Sequence, residues 1–383
     1  MSDRSPTLWL CPDHVFDGAD LRPHMALGVQ QGRTTALLPV ADLPSGAPRH
    51  VLSGTLTAGF VDLQVNGGGD ALLNASPTVP TMITMATAHR RFGTVAILPT
   101  VITDAPEVLA AAVGAALSAK GLPGILGLHI EGPHLSVPRR GTHAARFIRP
   151  FESTTMGHVE RLRAAGIFVK ITVAPEAMAK GQIAALVATG AVVSIGHSDT
   201  TDEAAKAALA EGASCFTHLF NAMSPMQNRE PGVTGACINS FAYAGIICDG
   251  YHVADDMVAL AIRARPVPDR MFLVSDSMST VGGSDHFTLY GEQIHLVGGR
   301  LVNAAGSLAG AHVTMAEGLA RLINVLGIAP KTALAMAVST PATLIGRPDL
   351  ARPILRDFSD LVLLYPNWSI SALGADLLKG LAA

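Results

Sequence analysis

Cysteine is nearly absent from this chain. Its 383 residues include four, Cys11, Cys215, Cys237 and Cys248, and none belongs to a CxxC pair. Few, scattered thiols in a long chain point to reduced, mostly buried cysteines in a cytoplasmic protein. Charge is also scarce, at 15% of residues, with a formal net charge of -3. No basic run and no interleaving of basic with aromatic residues occurs, so nucleic-acid binding has no support. Any anionic substrate must be attracted by a few local cations. The N-terminus, MSDRSPTLWL, lacks the charged start and apolar core of a secretory signal. Several charge-free stretches approach membrane-span length. Pro, Gly or polar clusters interrupt each one, so they read as buried strand–helix pairs and not as spans.

Apolar residues, by contrast, make up 49% of the chain. That profile suits a compact enzyme with a large core and excludes a disordered or fibrous protein. The length suggests roughly two domains, although a large α/β barrel can absorb most of it.

Residues 1–52 read as short strands separated by turns, as in LWLCP and MALGVQQGRTTALLPV, with a turn at Gln31-Gly32-Arg33. From Thr57 the pattern changes to short apolar runs alternating with alanine-rich helical segments. Eight runs qualify as parallel strands: AGFVDLQV (58–65), TVAIL (94–98), ILGLHI (125–130), FVKITV (168–173), AVVSIG (191–196), SCFTH (214–218), AGIIC (244–248) and MFLVS (271–275). Helical segments fit between most of them, at 105–119, 154–165, 178–189, 201–211 and 254–264. Near-continuous apolar strands with helices between them imply a parallel sheet covered on both sides, and eight such units imply a (β/α)8 barrel. A Gly-rich hairpin-like stretch (282–302), helices near 311–326 and 330–338, and the strand DLVLLY (360–365) follow. The expected architecture is an α/β TIM-like barrel over 53–345. A small β-sandwich domain is built from both chain ends, 1–52 and 346–383.

Barrel enzymes carry their chemistry at the C-terminal ends of the strands. Those positions here hold Gln64 and Asn66 after the first run, Glu131 after the third and His197 after the fifth. His218 ends the sixth, Asp249 and His252 follow the seventh, and Asp276 ends the eighth. One carboxylate and two imidazoles make a three-ligand site that leaves a position for water on a zinc-like ion. Such an ion lowers the pKa of its water to roughly 7. A further carboxylate, Asp276, is placed by topology to move protons. Each residue alone has a bland reading: a hydrogen-bonded structural histidine, a capping glutamate, a turn aspartate. Four of them on four strands at one face make the metal reading the stronger one.

Other residues are less directly marked. His129 lies inside a strand and takes a supporting or core role. His134 and His143 sit in the long loop EGPHLSVPRRGTHAARF, a candidate substrate-covering segment. Arg139, Arg140, Arg229 and Arg263 are candidate anion binders; Arg229, in QNREPG after the sixth strand, is equally readable as a solvated loop residue. His14, His24, His50, His158, His286 and His295 have no catalytic role in this reading.

At these residues the chain resembles the N-acetylglucosamine-6-phosphate deacetylase family of the amidohydrolase superfamily. The matching stretches are GFVDLQVNG, GLHIEGPHL, RRGTH, IGHSD, THLFNAM, REPG, CDGYHV, LVSDSM and GSLAGA, in the family's order from about residue 59 to 311. Many amidohydrolases carry HxH at the end of the first strand and bind two metals. Here that position reads Gln64-Val65-Asn66, and neutral amides are poor zinc ligands, so one ion is expected. The resemblance implies that Glu131, His197 and His218 hold one divalent ion, most simply Zn2+, with Fe2+ or another divalent ion as alternatives. It implies that Asp276 is general base and then acid, and that His143 contacts substrate and polarises the acetyl carbonyl. It further implies that Asn221 and Ala222 bind the sugar phosphate, that Arg229 and His252 add positive charge there, and that these last two can come from the neighbouring subunit of a homodimer. The expected reaction is hydrolysis of the N-acetyl group of N-acetylglucosamine 6-phosphate to glucosamine 6-phosphate and acetate. N-acetylgalactosamine 6-phosphate is the nearest rival substrate. A different amidohydrolase reaction is opposed by the QxN strand end and the cation-bearing REPG loop, and a non-catalytic barrel by the intact metal set. The family usually has Pro-Gly where this chain reads TAGF, and both GGGDALLN and the tail DFSDLVLLYPN are looser matches.

Overall fold

The computed structural model describes residues 7–304 and 306–382. Eight strands lie side by side in chain order, all parallel: Phe60–Val65, Thr94–Ile102, Gly127–Glu131, Phe168–Val173, Val192–Ile195, Cys215–Phe216, Tyr243–Ile246 and Met271–Leu273. The segment after the eighth strand returns to the first. The Asp276 N–H donates to the Gln64 carbonyl at 3.0 Å, and the Asn66 N–H to the Ser277 carbonyl at 2.9 Å. These bonds close the sheet into a barrel. All eight expected strands are present. The second runs beyond Leu98 to Ile102 even though Pro99 cannot donate to a ladder. The pairing with the first strand slips there, and the Val65 N–H takes the Thr100 hydroxyl at 3.0 Å in place of a backbone acceptor.

The five expected crossover helices occur as Pro106–Ser118, Ser153–Ala164, Gln182–Ala188, Asp202–Ala210 and Asp255–Ala264. Val79–Arg90 and Gly232–Asn239 add to the covering layer, and the helices expected after the eighth strand, present as Met315–Asn324 and Pro330–Leu334, complete it together with Thr340–Leu344. Gly232–Asn239 is buried from Gly232 to Ile238, so it has no polar face and no amphipathic stripe to read. Among the described residues no helix is long and apolar enough to cross a membrane.

Strands from the two chain ends hydrogen-bond into one seven-stranded sheet. Its central strand, Arg49–Ala58, runs parallel to Leu8–Phe16 and antiparallel to Leu361–Leu364, and so carries the sheet past residue 52 to the start of the barrel. Side chains alternate across it, as strand geometry requires: Leu10, Leu27, Leu56 and Phe358 pack on one face, Trp9, Cys11, Ala26 and Leu43 on the other. The Gly-rich stretch after the barrel is a three-stranded meander, His286–Leu289, Glu292–Val297 and Arg300–Val302. Phe287, Leu289, Ile294 and Leu301 seat it on Leu72, Ile102 and Met278, over the strand ends where the polar residues gather.

The barrel interior is polar below that rim. Thr100, His129, Thr172, Thr217 and Ser194, all fully buried, form a hydrogen-bonded chain with links of 3.1, 2.8, 2.7 and 2.6 Å. His129 is therefore a satisfied core residue. Two charged residues share this layer. Asp62 accepts the Gln64 N–H at 3.2 Å and the Ser275 N–H at 3.3 Å. Lys170 is fully buried, and its Nζ has no hydrogen-bond partner among the described residues. Burial pushes the Lys170 ammonium down and the Asp62 carboxyl up to about 7.

The raised Asp62 has a signed consequence. Below about pH 3.9 the carboxyl is protonated in both the folded and unfolded chain. Between there and about 7 only the unfolded chain ionises, so its stabilising contribution is lost as pH rises and then levels off. Unfolding midpoints measured across this window should therefore fall for the unmodified protein relative to Asp62→Asn. A difference that does not vary with pH would contradict the assignment.

Candidate active site

Four strand ends deliver Glu131, His197, His218 and Asp276 to one pocket. The backbone at three of them is unusual: φ is +48° at His197, +34° at His218 and +51° at Asp276, with Ala222 also at +51°. Left-handed conformation in a non-glycine residue is disfavoured by about 1–3 kcal/mol and gathers at functional sites. Here it turns each side chain off its strand and toward a common point. Neighbouring glycines make the approach possible. A Cβ at Gly196 would meet Thr172 and Thr217 at 2.9 Å, and one at Gly132 would lie 2.2 Å from the Thr103 hydroxyl.

Glu131 Oε1 lies 3.1 Å from His218 Nε2 and 3.4 Å from His197 Nε2, and the two Nε2 atoms are 3.0 Å apart. His197 Nδ1 sits 2.9 Å from the Arg139 carbonyl. A carbonyl only accepts, so Nδ1 carries the proton and the Nε2 lone pair faces the pocket. Donor atoms about 2.1 Å from one tetrahedral ion lie roughly 3.4 Å from each other, close to the observed spacing. Converging acceptor atoms of this kind fit a divalent cation. His143 also comes within reach, since donor atoms of Glu131, His143 and His197 all lie within 4.8 Å of one another. Its tautomer argues for a different task. The Thr103 N–H donates to His143 Nδ1 at 3.3 Å, which leaves the proton on Nε2. Burial and the nearby His197 push its pKa down to about 3, so the ring is neutral. Neutral His143 thus offers the pocket an N–H and not a lone pair.

The first strand holds the two carboxylates in place. Gln64 Nε2 donates to Glu131 Oε1 and to Asp276 Oδ1, both at 3.0 Å, and Asn66 Nδ2 donates to Asp276 Oδ1 at 2.8 Å. Burial opposes the charge on Glu131, but the adjoining His197 and His218 imidazoles outweigh it and hold the carboxyl well below the usual range. Burial and the Glu131 charge raise Asp276. Two carboxylates driven apart in this way suit one as a permanent anion and the other as a proton carrier.

The cavity over these groups measures about 170 Å3 and is lined also by Asn221, Ala222, His252, Thr142, Met278 and Leu308. His252 turns one ring nitrogen to Asp249, 2.6 Å away. Asn221 folds its amide and its N–H back on the His218 carbonyl, closing the turn after the sixth strand. Arg229 is exposed and does not line the cavity. Of the other arginines, Arg139 pairs with Asp199 at 2.6 Å, Arg140 donates to the His143 carbonyl at 3.0 Å, and Arg263 is exposed on its helix. His134 is held by Thr155 and by the Arg149 and Pro150 carbonyls, which makes it a loop anchor. A larger cavity of about 800 Å3, near His14, His24 and Trp368, contains none of the converging residues. Thr103 carried no sequence signal, and Met278 and Leu308 lay within the stretches LVSDSM and GSLAGA without being singled out. Asp62 and Lys170 carried a weak signal, since each sits inside an otherwise apolar strand.

No known family model matches the chain. Individual relatives do. It is 41% identical over 343 residues to an N-acetylgalactosamine-6-phosphate deacetylase of Shewanella sp. (strain ANA-3), covering 88% of this chain and 86% of that one. It is 34% identical over 343 residues to an N-acetylglucosamine-6-phosphate deacetylase of Haemophilus influenzae, covering 88% and 89%. The chain belongs to the amino-sugar-6-phosphate deacetylase family. The crystal structure of the N-acetylglucosamine-6-phosphate deacetylase of Pasteurella multocida superposes with a TM-score of 0.87 at 31% identity, covering 96% of this chain and 98% of that one. The deacetylase fold therefore extends over both the barrel and the sheet made by the chain ends. Glu131, His143 and His197, with His218 beside them, make a group of residues that could hold a divalent metal ion.

Metal binding gives a direct check. An ion bound by the folded chain alone at about 100 times its Kd adds about 2.7 kcal/mol of stability. Chelation should lower the thermal midpoint, zinc should restore it, and Glu131→Gln should abolish the response. A zinc-dependent rise that survives Glu131→Gln would rule out this group as the site.

Proposed function

We propose that the chain hydrolyses the acetamide of N-acetylglucosamine 6-phosphate, giving glucosamine 6-phosphate and acetate. The observation that carries this reading is the meeting, in one pocket, of three converging ligand atoms with a separate, amide-held carboxylate. Glu131, His197 and His218 would hold one ion. Zinc matches two imidazoles and a carboxylate best, and Fe2+ tolerates the same donors. An ion there lowers the pKa of water and polarises a carbonyl.

The protein's own groups supply the rest. Gln64 and Asn66 both engage Oδ1 of Asp276, which leaves Oδ2 for a proton. Asp276 takes that proton from the attacking water and delivers it to nitrogen as the C–N bond breaks. The His143 Nε2–H donates to the acetyl oxygen as negative charge develops on it, a contribution worth a few kcal/mol in comparable sites. Asn221, Ala222 and His252, at one side of the cavity, receive the sugar phosphate. Arg229 is exposed and does not line its own chain's cavity, as expected of a residue serving the neighbouring subunit's site in a homodimer. We place the enzyme in the cytoplasm, where its four unpaired, buried cysteines stay reduced.

N-acetylgalactosamine 6-phosphate is the second reading, favoured by the 41% identity to a deacetylase of that sugar. The two substrates differ only in the orientation of one hydroxyl. Acetate release with both sugars in competition separates them: the higher kcat/KM identifies the substrate. Asp276→Asn should retain metal while turnover falls by about 10²–10⁴. Near-normal turnover in that variant would remove Asp276 from the mechanism.

A further inference from the structure

The tip of the meander over the barrel rim is a two-residue turn, Tyr290-Gly291, between the paired residues Leu289 and Glu292. Both turn residues have positive φ, +52° and +89°. Such a turn prefers Asn-Gly, whereas a bulky aromatic at its first position is disfavoured. The tyrosine is therefore not there for the turn. Its side chain reaches across to the active-site loops. The hydroxyl donates to the Thr103 carbonyl. Thr103 in turn supports the catalytic pocket. It donates its N–H to His143 Nδ1 at 3.3 Å and its hydroxyl to the Glu131 carbonyl at 3.2 Å. Phe147 and Arg146 pack beside the Tyr290 ring, at 6.3 and 6.0 Å.

We propose that Tyr290 is a positioning residue that latches the meander to Thr103, and so keeps His143 in the tautomer and orientation that present Nε2–H to the acyl oxygen. It touches neither substrate nor ion. It acts through Thr103, fixing the carbonyl of the residue whose N–H His143 Nδ1 accepts, and through the same threonine it braces the strand end bearing Glu131. The assignment rests on the deacetylase reading for its effect on rate, but its structural claim is independent of turnover.

Tyr290→Phe removes only the hydroxyl and keeps the ring against Arg146 and Phe147. It should lower kcat for acetate release by about tenfold, the size seen when a partner that orients a functional histidine is lost, with little change in KM. In a His143→Gln background the same substitution should add nothing, because both act through one interaction. Tyr290→Asn supplies a favoured turn residue, so its thermal midpoint should match or exceed that of the unmodified protein while kcat falls as in Tyr290→Phe. A proton–nitrogen correlation spectrum of histidine-labelled protein reads the tautomer without substrate: His143 is the Nε2–H form in the unmodified protein and a mixture in Tyr290→Phe. An unchanged tautomer in Tyr290→Phe, or an equal loss of kcat in both backgrounds, overturns the latch. No acetate release by the unmodified protein, with the tautomer change present, would count against the deacetylase reading and leave the latch standing.

Discussion

The Gln64 side chain lies where the barrel closes. Its amide donates to Glu131 and Asp276 at once, joining the first strand to the third and to the segment after the eighth. Without that donor, two buried carboxylates would face each other across the seam, and like charges at short range cannot both stay ionised. The same strand contributes Asn66 to Asp276 and its Gln64 carbonyl to the Asp276 N–H. Barrel closure and the separation of roles between the two carboxylates thus depend on one short stretch of chain. Where a histidine pair would recruit a second ion, this chain has two amides that hold carboxylates.

Around that seam the site is built by backbone distortion as much as by side-chain choice. His197, His218 and Asp276 all leave their strands through left-handed turns. A regular strand end would aim them at the barrel wall or its axis. The barrel beneath is close-packed, and its threonine–histidine chain ties neighbouring strands together, so the distorted rim rests on a stiff base. The meander adds a lateral support that comes from outside the barrel.

Much of this was legible in the amino-acid order. Apolar strands read clearly because burial on both faces leaves them nearly uninterrupted, and the polar residue ending each one then stands out, as Glu131 does after GLHI. Glu131, His197, His218 and Asp276 do meet in one pocket. The helices over the first and sixth strands were not legible: Gly232–Asn239 is buried all round and has no periodic contrast. The role of Gln64 was legible only as a missing ligand, since its pairing with two carboxylates depends on strands that lie far apart in sequence. Thr103 gave no signal because its contacts to His143 and Tyr290 are made through its backbone, and Tyr290 gave none because its contact is made across a loop. Arg229 shows the limit of a single chain: its sequence context marks it, yet it lines no part of its own cavity.

Two triads compete within the pocket, Glu131–His197–His218 and Glu131–His143–His197, and only the first leaves His143 free to donate a hydrogen bond. Anomalous diffraction at the zinc edge from zinc-loaded crystals distinguishes them most directly. The account predicts one peak, bonded to Glu131, His197 and His218, with Gln64 still donating to both carboxylates. A peak bonded to His143 in place of His218, or a second peak beside Gln64 and Asn66, would contradict it.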